Sequence, residues 1–254
     1  MRILITNDDG IHAPGLDACV EIARSLSDEV WVVAPEYDQS GVSHSLSLND
    51  PLRLRQIDER RFAVKGTPTD CVIMGVRKIL NGKAPDLVLS GVNRGRNAAE
   101  DVLYSGTVAG AKEAAVLGIP SFALSQAYNS QNRQNPNWET SIHYAPDIVR
   151  RVLAEGIPTD VFVNINFPDC GPDEVRGVAI TSQGKRDQEL LHIETRHDGR
   201  GNPYHWIGFT RRDRPPPADG TDLSALAGRC IAVTPLKLDL TDEPFMTRLA
   251  AVFS

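Results

Sequence analysis

The sequence predicts an α/β fold, a doubly wound and mostly parallel sheet with helices packed on it. Three observations predict it. Short, β-branched apolar runs such as residues 30–34 (VWVVA) read as strands buried on both faces. Between them apolar residues recur at helical spacing, as in Leu16, Val20, Ala23 and Leu26. One strand–helix–strand cycle takes about 35 residues, the length of a βαβ unit.

The elements follow in order. Residues 2–6 form a first strand, stopped by Asn7-Asp8-Asp9-Gly10. Pro14 and Gly15 open the first helix. After the strand at 30–34, Leu46, Leu48, Leu52 and Leu54 alternate with polar residues ahead of an apolar run at 62–64, which predicts a small hairpin. Thr67 caps a helix with Pro68 at its first position, and Val72, Ile73, Val76, Ile79 and Leu80 form its apolar face. Residues 87–89 are a buried strand ending in Ser90-Gly91-Val92-Asn93, and a Gly- and Asn-rich loop runs on to Tyr104. Ser105 opens an alanine-rich helix that Gly118 closes, and 121–124 is a further strand. Residues 126–140 are polar and irregular, a surface loop. Residues 142–153 have a helical pattern, which Pro146 either kinks or starts. Residues 161–167 and 175–181 are strands, and 230–234 is a late one. Residues 184–218, rich in Arg, Asp and Gly and ending in three prolines, read as long hairpin arms or flexible loops.

The 254 residues fit one sizeable domain or two small ones. Lys and Arg total 27 against 33 Asp and Glu, a net charge of −6, so no basic field exists to hold nucleic acid. No run of 18 apolar residues predicts a membrane span, and the opening turns acidic too soon for a secretory signal. Cys19, Cys71, Cys170 and Cys230 are far apart with no Cys-x-x-Cys, which predicts reduced thiols rather than a zinc or disulfide framework. A cytoplasmic location is the expectation.

In open α/β sheets ligands bind beyond the carboxyl ends of the strands. The first strand delivers Asn7, Asp8 and Asp9 there. The second delivers Glu36, Asp38, Gln39 and Ser40, and the strand at 87–89 delivers Ser90, Asn93 and Asn97. Two adjacent carboxylates raise one another's pKa unless a cation lies between them. A hard divalent ion, Mg²⁺ or Mn²⁺, removes that conflict, and Ser40 and Asn93 would complete its shell with neutral oxygens. The plainer reading is that Asp8 and Asp9 end a strand and cap the first helix. Ser105-Gly106-Thr107 at a helix start offers free N–H groups, two hydroxyls and the positive end of the helix dipole, an anion site or an ordinary cap. Neither a G-x-G-x-x-G fingerprint nor a P-loop motif is present. His12 and Ser43-His44 lie near this region and read as loop residues, and the Arg-rich stretches 185–186 and 211–214 read as solvated faces.

In order and spacing, MRILITNDDGIHAPG, APEYDQSGVSHSLS, KGTPTDCV, LVLSGVNRGRN, DVLYSGTVAGAKEA and VTPLKLDLT resemble the SurE survival-protein family, with matches spanning residues 1 to 242. The resemblance implies a metal-dependent phosphatase acting on nucleoside monophosphates. It implies one Mg²⁺ or Mn²⁺ per subunit on Asp8, Asp9, Ser40 and Asn93, and phosphate contacts from Asn97, Ser105, Gly106 and Thr107. It further implies a three-layer α/β/α, Rossmann-like core at about 1–182 and 219–240, a single domain whose β extension at about 183–218 is exchanged within a homodimer or homotetramer. Two departures stand out. The family has Gly two residues after Asn97, where this chain has Ala99; a positive φ there would strain an alanine. The helix also reads GTVAGAKEA where GTVGAAxEG is usual. Two rival readings of the acid pair are a phospho-acceptor signalling module, which needs a third acid where this chain has Ser90 and Asn93, and a metal-dependent glycosyl or nucleotidyl transferase.

Overall fold

A computed structural model describes residues 1–80, 82–186, 191–209 and 217–253. The fold grows from β1 (Arg2–Thr6), whose side chains alternate between two cores. Ile3 and Ile5 face α1 (Pro14–Arg24) and α5 (Trp138–Glu155), where Leu16, Cys19, Ile22, Ile148 and Val149 cover them. Leu4 faces the other layer, built from α2 (Pro68–Met74), the π-helical turn Gly75–Ile79 that continues it, and α4 (Gly106–Val116). Ile3, Leu4 and Ile5 are fully buried, and each contributes about 1.5–3 kcal/mol relative to exposure. Helices on both faces of the sheet make three layers, as expected.

The main sheet has nine strands, in the order β3-β4-β2-β1-β5-β6-β7-β11-β8. These are β2 (Glu29–Pro35), β3 (Arg53–Asp58), β4 (Arg61–Lys65), β5 (Leu87–Arg94), β6 (Ser121–Gln126), β7 (Val161–Phe167), β8 (Val178–Ile180) and β11 (Ile231–Lys237). Pairing is parallel from β4 through β7 and antiparallel at β3/β4 and β7/β11. The chain leaves β1 outward to β2 and β4, then returns to β5 on the other side of β1. The topological switch point therefore lies between β1 and β5, and their carboxyl ends carry the candidate site.

The predicted start of α2 is realised in full. Thr67 accepts from the Asp70 N–H at 3.1 Å, and the Asp70 side chain accepts from the Thr67 N–H at 2.8 Å. Elsewhere the structure corrects the sequence reading. The hairpin β3–β4 begins only at Arg53; residues 45–47 instead drape over the start of α2, with Thr67 Oγ1 donating to Ser45 O and Ser47 Oγ to Asp70. Those side-chain bonds outweigh the alternating leucines, and Leu46 and Leu48 stay exposed. Strand 175–181 shrinks to β8, while helix 142–153 lengthens to α5 and runs through Pro146. Three short helices went unpredicted, α3 (Asp101–Tyr104) within the loop read there, α6 (Asp222–Ala227) and α7 (Glu243–Ala250).

Within 184–218, β9 (Leu191–His197) and β10 (Pro203–Phe209) form an antiparallel hairpin apart from the main sheet, the arm expected there. Arg211, Arg212 and Arg214 and the first two of the three prolines lie outside the described residues. Arg186 is no solvated arginine: it is mostly buried and paired with Asp101. Ile193, Trp206 and Ile207 on the hairpin are exposed, as are Phe245, Met246 and Leu249 on α7. The four cysteines are free. Among the described residues no helix is long and apolar enough to cross a membrane.

Candidate active site

Asp8 and Asp9 follow β1 with only Asn7 between. They do not cap α1, whose N-cap is Ala13 and lacks a side-chain cap, so the capping half of the plainer reading fails while the strand-ending half stands. Asn7 Nδ2 donates to Gly10 O at 2.9 Å, and Gly10 at φ 101° turns the chain sharply behind the two acids. Asp8 is 4% exposed and accepts a hydrogen bond from Thr107 Oγ1. Burial, and then the neighbouring Asp9 charge, push its carboxyl up to about 7. Burial also raises Asp9, which accepts the Arg94 N–H at 2.9 Å.

The other predicted residues come from separate elements, and of them Gly106 and Thr107 reach Asp8. Gln39 donates its N–H to Asp8 O at 2.7 Å, which ties the exposed loop bearing Ser40 to the acid pair. Asn93 sits at the end of β5, its Nδ2 donating to Gly95 O at 2.7 Å, so its oxygen remains the group it can offer a cation. Ser105 caps α4 by accepting the Val108 N–H at 3.0 Å. Gly106 is required here: a Cβ would stand 2.8 Å from Asp8 Cβ. A Cβ at Gly110 would likewise meet Ser90 Oγ at 2.7 Å, so two glycines let α4 lie close on the sheet and aim its N-terminus at Asp8. His44 Nε2 pairs with Glu113 Oε2 at 2.8 Å and is a structural loop residue, as read; His12 is exposed.

Asn97 is held by residues that sequence reasoning missed. Its N–H donates to Asn166 Oδ1 at 2.8 Å, and its carbonyl accepts Asn164 Nδ2 at 2.8 Å and Asn166 Nδ2 at 3.0 Å. Its own Nδ2 donates to Ser125 Oγ at 3.0 Å. Asn164 and Asn166 were visible as a signal: two asparagines, two apart in an apolar strand, share one face, and both are fully buried. Ala99 does adopt a positive φ, 56°, as feared for an alanine at that position.

These residues fit a hard divalent ion. The donors are two carboxylates and neutral oxygens, the type that Mg²⁺ and Mn²⁺ select. Among the described residues no group of three or more His, Cys, Asp or Glu side chains competes for a metal. Asn7 Oδ1, buried beside the acid pair, has no hydrogen-bond partner. Buried Asp8 beside half-buried Asp9 carries an electrostatic cost that a cation relieves. A cavity of about 140 Å³ adjoins Asp9, lined by Ala13, Pro14, Gly15, Arg94, Gln134 and Trp138.

Comparison with known proteins bears on the family and the fold. A family model described as "Survival protein SurE" matches residues 3–190. The chain is 66% identical over 251 residues to a protein of Rhodopseudomonas palustris named 5′-nucleotidase SurE, covering 98% of each. It is 64% identical over 253 residues to the protein of the same name in Methylorubrum populi, covering 100% of this chain and 99% of that one. The crystal structure of the SurE protein from Aquifex aeolicus superposes with a TM-score of 0.83 at 41% identity, covering 100% of both chains. The architecture, the ordered motifs and these relatives agree, and the chain belongs to the SurE survival-protein family.

Proposed function

We propose that this chain is a 5′-nucleotidase, a divalent-metal-dependent phosphatase that hydrolyses nucleoside 5′-monophosphates, with 3′-monophosphates a further substrate class for the test below to decide. One observation carries the reading: the pair of buried Asp8 and half-buried Asp9 at the switch point, met by the N-terminus of α4 through Thr107. Acids alone would repel a phosphate, and a helix N-terminus alone contributes only about 0.3–1 kcal/mol at exposed sites. Together they match an anionic substrate bridged to carboxylates by a cation.

In this reading Asp8, Asp9, Ser40 and Asn93 hold one Mg²⁺ or Mn²⁺ per subunit. When bound, the ion supplies Lewis-acid polarisation of a phosphoryl oxygen. Asn97 and the hydroxyls and N–H groups of Ser105, Gly106 and Thr107 orient the phosphate and stabilise charge on its equatorial oxygens. Thr107 also touches Asp8, and so couples the phosphate side of the site to the metal side. The cavity beside Asp9 offers a single sugar or base ring a place near the reacting phosphate.

The exposed apolar residues of the β9–β10 hairpin and α7 support a homodimer or homotetramer joined through the extension, and the four free cysteines support a cytoplasmic location. The test is phosphate release from a panel of nucleoside 5′- and 3′-monophosphates with Mn²⁺, Mg²⁺ or EDTA, run beside Asp8→Asn. Release that requires both the metal and Asp8 is expected. Release that survives EDTA or the substitution sinks the reading. No release without a sugar or nucleotide acceptor returns weight to a transferase.

A further inference from the structure

The turn that carries Asn97 continues into Ala99, and Ala99 is an L-residue in the left-handed region, fully buried at φ 56°. That conformation disfavours an alanine relative to glycine by a factor of about 5–30, so something must hold it. The holder is Asp222, which lies 123 residues further along the chain. Its Oδ2 accepts the Ala99 N–H at 2.8 Å. Its Oδ1 accepts the N–H groups of Gly184 at 2.9 Å and Leu223 at 2.7 Å. Asp222 is fully buried, and the space around it is tight enough that a Cβ on Gly184 would stand 2.8 Å from Oδ1.

We propose that Asp222 is a positioning residue for the phosphate-binding turn, acting through Ala99 on Asn97. The proposal rests on the nucleotidase reading above. Three N–H donors converge on this side chain, and only a group with acceptors on both ends serves them all. An asparagine of the same shape must turn an NH₂ toward at least one donor. Ala99 is then free to leave the left-handed region, and the chain leaving Asn97 swings away from Asn166 and Ser125.

The test is a double-mutant cycle of Asp222→Asn and Ala99→Gly in the full-length protein. The readouts are kcat/KM on a nucleoside monophosphate, the inhibition constant of inorganic phosphate, and the melting temperature. Asp222→Asn should lower kcat/KM and weaken phosphate inhibition about tenfold. Adding Ala99→Gly should restore both to within about threefold of the wild type, because glycine takes a positive φ without being held. If Asp222→Asn does not fold, Gly184→Ala carries the same test, since its Cβ displaces the carboxylate. A purely structural role would lower the melting temperature and leave phosphate inhibition unchanged; that outcome, or a loss that Ala99→Gly does not repair, overturns the proposal. An active wild type with unaffected variants overturns this role alone, whereas an inactive wild type overturns the nucleotidase reading and this role with it.

Discussion

Neutralising Asp8 should stabilise the metal-free protein while destroying its activity. Burial and the Asp9 charge raise the Asp8 carboxyl from 3.8 to about 7. The folded state therefore holds this proton more tightly than the unfolded chain does. By linkage, stability falls as pH rises between those two values, and reaches its lower plateau above about 7. At 1.36 kcal/mol per pH unit the span amounts to about 4 kcal/mol. Asp8→Asn keeps an oxygen to accept from Thr107 and removes the charge that causes the cost. In EDTA at pH 8 the variant should melt roughly 10 °C above the wild type, taking about 2–4 °C per kcal/mol for a chain of this size. The gap should close progressively toward pH 4, near the unfolded value of 3.8, below which Asp8 is protonated in both states. Differential scanning calorimetry across pH 4–8 reads both features. A variant that melts at or below the wild type at pH 8, or a gap independent of pH, refutes the argument that this carboxylate is held against its own solvation.

Three further outcomes follow from the same geometry. Saturating Mg²⁺ or Mn²⁺ at about 100 times its dissociation constant should stabilise the wild type by about 2.7 kcal/mol and leave Asp8→Asn nearly unmoved, as read by thermal melts with and without metal. Gly106→Ala places a Cβ 2.8 Å from Asp8 Cβ and 3.1 Å from Pro68 Cγ, so it should cost about 1–3 kcal/mol of stability and at least about 100-fold in kcat, measured by melting and steady-state kinetics. Asn166→Ala strands the buried Asn97 N–H and should cost about 2–3 kcal/mol in urea denaturation, with a matching loss in kcat/KM.

Sequence legibility followed the range of the forces involved. β1, α1, β2 and the start of α2 were legible because each is fixed locally, by an apolar run, a helical period, or the Thr67–Asp70 exchange at a spacing of three residues. The two acids of the candidate site were legible because they end a strand that is unmistakably buried. What escaped depends on distant partners. The side chains that grip Asn97 come from β6 and β7, some 28 to 69 residues away, and the one that holds Ala99 comes from α6. No local pattern distinguishes Asp222 from an ordinary acid at a helix start. The alternating leucines at 46–48 misled for the converse reason, because Asp70 and Thr67 compete for that backbone from outside it.

The placement of Asp222 also bears on how the protein comes into being. Synthesis is vectorial, and Asp8 emerges more than 200 residues ahead of Asp222 and β11. At about 5–20 residues per second, a nascent chain spends roughly 10–40 s with its paired acids made and its phosphate turn unsecured. In the last part of that interval, once β7 is made, that strand lacks β11, its antiparallel neighbour, so a row of backbone donors and acceptors stays open at the growing sheet edge. The last fifth of the polypeptide thus both closes the sheet and supplies the Ala99 hold, and a ribosome-bound or truncated chain ending before Asp222 carries the two acids and α4 with the Asn97 turn unsecured.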